Sequence, residues 1–172
     1  AGLLPDSKVV DAPPHKISIE QTVEMAKQFE LLVLFTSTPG FAVDVKMASM
    51  MKDVNPKLQV CFVGPPVTTE PEKALRESAI DFVVRREFDY QIVNYAKGTP
   101  LSELPGVSYR KNGEFVHNPE GGYIENLDEL PWVTKVYKRD LDFRRYNVPF
   151  LLNPFVPLYT SRGCPAMCTF CL

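Results

Sequence analysis

The sequence predicts an α/β fold over residues 1–104: a doubly wound parallel sheet with helices on both faces. Three observations carry this. Short apolar runs alternate with amphipathic stretches, the connections between them are short, and the runs are apolar on both faces, as strands buried on two sides must be.

The elements follow in order. Residues 8–14 (KVVDAPP) read as a strand ending in a Pro-rich turn. In 18–29 (SIEQTVEMAKQF) Ser18 stands as N-cap with Gln21 three residues on, and Ile19, Val23 and Ala26 share one helical face. Residues 30–39 (ELLVLFTSTP) form a buried strand that turns polar at its end. Val43, Met47, Met50, Met51 and Val54 mark a second helix, stopped by Asn55-Pro56. A strand at 58–64, a helix at 70–79 with acids in its first turn, a strand at 81–89 and a helix at 90–98 closed by Gly98 complete the pattern. The crossover rule leaves few topologies, and the flavodoxin-like order is the expected one. That order opens with a central strand, whereas this sequence opens on what reads as a helix end, AGLLP. The first strand is therefore expected to be missing, with the gap closed by neighbouring strands or by a second chain.

Residues 105–150 read as a β-hairpin and linker. GVSYRKNGEFVHNP alternates apolar and polar residues around Asn112-Gly113, a strong hairpin signal. In 151–172 a short strand, VPLYTSRG at 156–163, runs into three cysteines. The apolar share of 45 % supports a real core, and the net charge of −2 argues against a nucleic-acid partner. No apolar run is long enough for a membrane helix and no signal peptide is evident, so a cytoplasmic protein with small-molecule ligands is expected.

The four cysteines are unevenly placed. Cys61 lies inside an apolar strand, while Cys164, Cys168 and Cys171 stand in C-x-x-x-C-x-x-C spacing. Thiolates are soft ligands for iron–sulfur clusters and for zinc. Three cysteines can hold three corners of a four-iron cluster and leave one iron open to chelate a ligand. A zinc knuckle is the alternative, but its fourth ligand would have to be His15 or His117, and neither has zinc-finger spacing.

The segment LYTSRGCPAMCTFC resembles the first barrel strand and cluster loop of radical S-adenosylmethionine enzymes. The resemblance implies a 4Fe-4S cluster on Cys164, Cys168 and Cys171, S-adenosylmethionine on the open iron, and Phe170 near its adenine. An α/β domain before such a barrel resembles the cobalamin-binding domain of the largest class in that superfamily. DAPPH, LFTSTPGFAVDV, EFDY, VYKRDLDF and LYTSRGC resemble its hopanoid-biosynthesis-associated members, sequences also labelled anaerobic magnesium-protoporphyrin IX monomethyl ester cyclases. The implied function is the N-terminal cobalamin-binding region of an oxidoreductase or cyclase acting on a hydrophobic, tetrapyrrole or hopanoid substrate. The remainder of the barrel is absent, so these residues alone are expected to be non-catalytic.

In open parallel sheets ligands bind beyond the C-terminal strand ends. Cobalamin contacts are accordingly expected from Thr36, Ser37 and Thr38, from Gly64, Pro65, Val67 and Thr68, and from Glu87. The D-x-H-x-x-G signature of histidine-ligated cobalamin domains does not occur, and Arg85-Arg86-Glu87-Phe88 stands where relatives carry a glycine- and glutamate-rich turn. The hydroxyls at 36–38 equally suit strand termination and helix capping. The rival function is a flavodoxin-like binding or signalling module with a zinc-binding cysteine tail. Arg139, Arg144 and Arg145 read as a solvated linker face that could alternatively meet an anionic substrate; Cys61 and the methionines read as core.

Overall fold

Three of the apolar runs become adjacent parallel strands in the computed structural model, which describes residues 1–164, 166, 168 and 169. They are β1 (Leu31–Phe35), β2 (Gln59–Val63) and β3 (Phe82–Val84). The hairpin expected from Asn112-Gly113 adds β4 (Val107–Lys111) and β5 (Glu114–His117) antiparallel to the same sheet. The five strands lie in sequence order. Asn112 and Gly113 both take positive φ, 53° and 86°, as the tight turn of a two-residue hairpin requires.

Helices connect these strands. The first two are α1 (Ala12–His15) and α2 (Ile19–Met25), the latter running into a 3-10 turn at Ala26–Gln28. Next come α3 (Phe41–Val54), α4 (Pro65–Thr69), α5 (Pro71–Leu75) and α6 (Asp89–Ala96), and α7 (Val133–Asp140) lies after the sheet. The capping box forms as expected: Ser18 N–H donates to Gln21 Oε1 at 2.9 Å and Gln21 N–H to Ser18 Oγ at 3.2 Å.

Successive strand residues face opposite sides, and both sides are covered. Val60, Phe62 and Val83, with Leu32 and Leu34, pack with Val23 and Ala26, Ala48 and Met51, Val67, and Ala74 and Leu75 from α2 to α5. On the other side Cys61, Val63, Phe82, Val84, Val107 and Tyr109 are buried, and α6 sets Tyr95 against Phe82 with ring centroids 4.6 Å apart. This is the α/β class and open, mostly parallel sheet expected from sequence. The covering on that second side stops short of β1, where Val33 is 38 % and Phe35 65 % exposed.

Two expected strands do not form. Residues 8–11 pair with no strand, and Pro13-Pro14 instead open α1, because proline's fixed φ and missing N–H suit a first helical turn. The Val9 N–H bonds the Asp140 carboxylate at 2.8 Å in place of a ladder partner. Residues 156–163 are likewise without strand structure. The helix expected at 70–79 is confined to Pro71–Leu75.

The chain divides into two compact units: Val23–Ile124, which holds the sheet, and the first 22 residues together with the segment from Glu125.

Candidate functional site

In the sheet unit the loops after β1, β2 and β3 come to one edge because the three strands are adjacent and parallel. Thr36 is fully buried; its N–H donates to Val63 O at 2.9 Å and its hydroxyl to Asp44 Oδ2 at 2.7 Å. Ser37 Oγ accepts from Gly40 N–H at 3.3 Å, closing the turn into α3. Gly64 has φ +118°, and a Cβ there would sit 2.3 Å from the Thr36 carbonyl oxygen. Only glycine permits that approach. Pro65 and Pro66 then open α4, so its first turn carries fewer amide donors than most helices offer. Val67 is buried, and Thr68 Oγ1 donates to Gly64 O at 3.1 Å and accepts from Arg86 N–H at 3.1 Å. Glu87 Oε2 accepts from Ile124 N–H at 2.7 Å.

The expected site residues after β1, β2 and β3 thus gather at one edge but divide by role. Thr36, Val67, Thr68 and Glu87 hold the loops together, while Ser37, Thr38 and Pro65 lie exposed at the surface, with Gly64 half-buried. Small side chains, hydroxyls and accessible backbone there fit an amide-rimmed ligand such as a corrinoid. The loops 36–40, 64–68 and 85–88 contain no histidine, so none of them offers an imidazole to a metal.

Sequence reading missed the charged cluster beside this edge. Arg85 donates to Gly106 O at 3.3 Å, to Asn118 O, and to Glu120 Oε1 at 3.2 Å. Arg86, in the left-handed region at φ 61°, meets Glu120 Oε2 at 2.8 Å and donates to Tyr123 Oη at 2.8 Å. The strap Asn118-Pro119-Glu120-Gly121-Gly122-Tyr123 thereby crosses the loop after β3. The doubled arginine was visible in sequence; its partner, 35 residues from Arg85, was not.

In the second unit His15 is fully committed. Its Nδ1 lies 2.8 Å from Asp11 O, and its Nε2 lies 2.9 Å from the Asp142 N–H, so each ring nitrogen faces a backbone partner. Neither nitrogen is left for a metal. Tyr146 donates to Asp11 Oδ2 at 2.7 Å, and burial followed by the Asp11 carboxylate raises its phenol well above the ordinary range. Asp140 takes bonds from Arg139 Nε at 2.8 Å and Val9 N–H at 2.8 Å, and the Arg139 bond holds its carboxyl below the usual range. Hydrogen bonding from Arg144 does the same for Asp142. Arg139, Arg144 and Arg145 all have partners within this unit, lining or bordering a shallow cavity of about 540 Å³.

Cys164 and Cys168 are exposed and without disulfides, as a ligand-ready thiol must be; Cys171 and Phe170 lie outside the described residues. The all-sulfur donor set and its spacing fit an iron–sulfur cluster. Cys61 is buried in β2, and desolvation pushes its thiol well above the usual value, as for a core residue. No helix among the described residues is long and apolar enough to cross a membrane.

No protein-family profile matches the sequence. An uncharacterized methyltransferase of Pyrococcus horikoshii is 32% identical over 96% of this chain and 37% of its own length. The anaerobic magnesium-protoporphyrin IX monomethyl ester cyclase of Synechocystis sp. is 23% identical over 99% of this chain and 32% of its own length. Among solved structures, the radical S-adenosylmethionine methyltransferase TsrM from Kitasatospora setae, with cobalamin and a [4Fe-4S] cluster bound, superposes with a TM-score of 0.55 at 12% identity, over 72% of this chain and 25% of that one. The chain thus spans about a third of the length of the curated relatives it matches, and its α/β fold is shared with part of TsrM.

Proposed function

We propose that this chain is the cobalamin-binding and cluster-holding region of a radical S-adenosylmethionine enzyme whose catalytic barrel lies in a longer protein. The observation that carries the reading is the succession of an α/β unit open at its C-terminal strand ends and the Cys164, Cys168, Cys171 spacing. The likeness to relatives about three times as long supports it.

When bound, the cluster with S-adenosylmethionine supplies one-electron radical chemistry, and cobalamin supplies a methyl carrier. The chain's own residues bind and orient. Ser37, Thr38 and the backbone about Gly64 and Pro65 are the groups that would hold the corrinoid, while Thr36, Thr68 and Glu87, through their internal bonds, and the buried Val67 keep the loops in register. Cys164, Cys168 and Cys171 are the residues that would hold three irons of the cluster, and Phe170 precedes the third of them in sequence.

Methyl transfer is the favoured reaction class, since the 32% identical relative is named a methyltransferase. Cyclisation of a tetrapyrrole or another hydrophobic polycyclic acceptor is the second reading, supported by the name of the 23% identical relative. The full-length protein, reconstituted anaerobically and given methyl-labelled S-adenosylmethionine with candidate acceptors, separates them. Label in the product supports transfer; ring closure without label supports the cyclase. Stoichiometric zinc with no iron or corrinoid would replace both with the binding-module reading.

A further inference from the structure

The cluster at Arg85, Arg86, Glu120 and Tyr123 does no work that the fold requires of all its members. Arg85 is the structural arginine: its side chain is 13% exposed, and it holds Gly106 O and Asn118 O as well as Glu120. Arg86 is different. Its side chain is 52% exposed, its backbone takes a left-handed conformation that a non-glycine residue adopts at a cost, and its guanidinium meets the strap residues Glu120 and Tyr123. Thr68 Oγ1 bonds the Arg86 N–H and so ties this backbone to the loop after β2, directly beside the open edge.

Glu120 is equally exchangeable. It is 52% exposed and is followed by Gly121-Gly122, where a Cβ at Gly122 would meet nothing within 4 Å. A half-exposed carboxylate can swing from an arginine by side-chain rotation alone, while Pro119 O keeps its bond from Gly106 N–H at 2.7 Å and Gly121 stays against Gln91 and Pro105. When it does so, Arg85 keeps its two carbonyl partners, whereas Arg86 loses its counter-ion and presents a planar fork suited to a phosphate oxyanion.

We infer that Arg86 is a phosphate-reading residue of the cofactor site and that Glu120 is its exchangeable internal counter-ion, displaced when a phosphodiester-bearing ligand settles on the strand ends. This deepens the corrinoid reading and rests on it. The ligand group is the phosphodiester of the cobalamin nucleotide loop; free phosphate shares its chemistry and is separated by the test.

The test titrates the full-length protein, freed of corrinoid, with hydroxocobalamin, with cobinamide (which lacks the nucleotide and its phosphodiester) and with inorganic phosphate, following corrin absorbance and calorimetry. Arg86→Gly, which suits the left-handed backbone and so keeps the fold, weakens hydroxocobalamin binding about tenfold and leaves cobinamide unchanged. Glu120→Gln tightens hydroxocobalamin several-fold, again without effect on cobinamide. Thermal melts of both variants check folding. Equal responses of the two corrinoids to both substitutions overturn the inference while leaving the corrinoid site standing. Tight binding of inorganic phosphate that Arg86→Gly abolishes, with hydroxocobalamin unaffected, also overturns it, by assigning the arginine to free phosphate. Wild-type protein that binds neither corrinoid defeats the underlying reading and the inference together.

Discussion

Gly64 shows how one residue sets the geometry of the strand ends. Its φ of +118° and the 2.3 Å that a Cβ would leave to the Thr36 carbonyl join the loops after β1 and β2 through backbone alone. Gly64→Ala is therefore expected to cost about 2 kcal/mol or more in urea unfolding, from the strained φ together with the backbone clash. Arg86→Gly should behave oppositely. It relieves a left-handed arginine and loses only half-exposed ion pairs, so its stability should stay within about 1 kcal/mol of the parent. Sequence carried these residues unequally. The cysteine spacing is a local pattern and could be read directly, whereas Arg86 and Glu120 meet only because the hairpin returns the chain to the end of β3. The hydroxyls at 36 and 68 were visible as residue types, but their internal partners, Asp44 and Arg86 N–H, depend on the fold.

Among elements, the hairpin was the most legible, because its two-residue turn requires two positive φ angles and Asn-Gly is one of the few pairs that supply them. Gly113→Ala is expected to destabilise the sheet unit by about 1 kcal/mol through backbone strain alone, since nothing lies within 4 Å of the added Cβ. Unfolding midpoints with an unchanged denaturant slope would check it. The strands at 31–35, 59–63 and 82–84 were legible as two-sided apolar runs. The misreadings share a cause. Lys8-Val9-Val10 has strand propensity, but propensity makes no strand without a neighbouring ladder, and the Val9 N–H is satisfied by a side chain instead. α4 carries no apolar periodicity that would announce it; Pro65 and Pro66 make its first turn, because a fixed φ and a missing N–H suit that position.

For the molecule as a whole, the acid side of the stability curve follows from paired carboxylates in the second unit. Asp140 and Asp142 titrate below their ordinary value when folded, chiefly through bonds from Arg139 and Arg144. Their stabilisation is present above the unfolded value of about 4 and is lost as pH falls through the lower folded values. Asp140→Asn should reduce this dependence, giving a flatter melting temperature between about pH 5 and pH 2 than the parent shows. An unchanged acid limb would contradict the pairing as its source. The fold class was legible at this scale because strand–helix alternation fixes it. The role of the cysteine segment was not, because the chain spans only about a third of the length of the curated relatives it matches.

The proposed protein joins a corrinoid at the sheet edge to a cluster on three cysteines. The most direct measurement is anaerobic reconstitution of the full-length protein with iron, sulfide and hydroxocobalamin, followed by metal analysis and absorption spectra before and after dithionite. About four irons and one corrinoid per chain are expected, with Cys164→Ala, Cys168→Ala and Cys171→Ala together removing the iron and sparing the corrinoid. Stoichiometric zinc, with neither a bleachable cluster band nor a bound corrin spectrum, would contradict it.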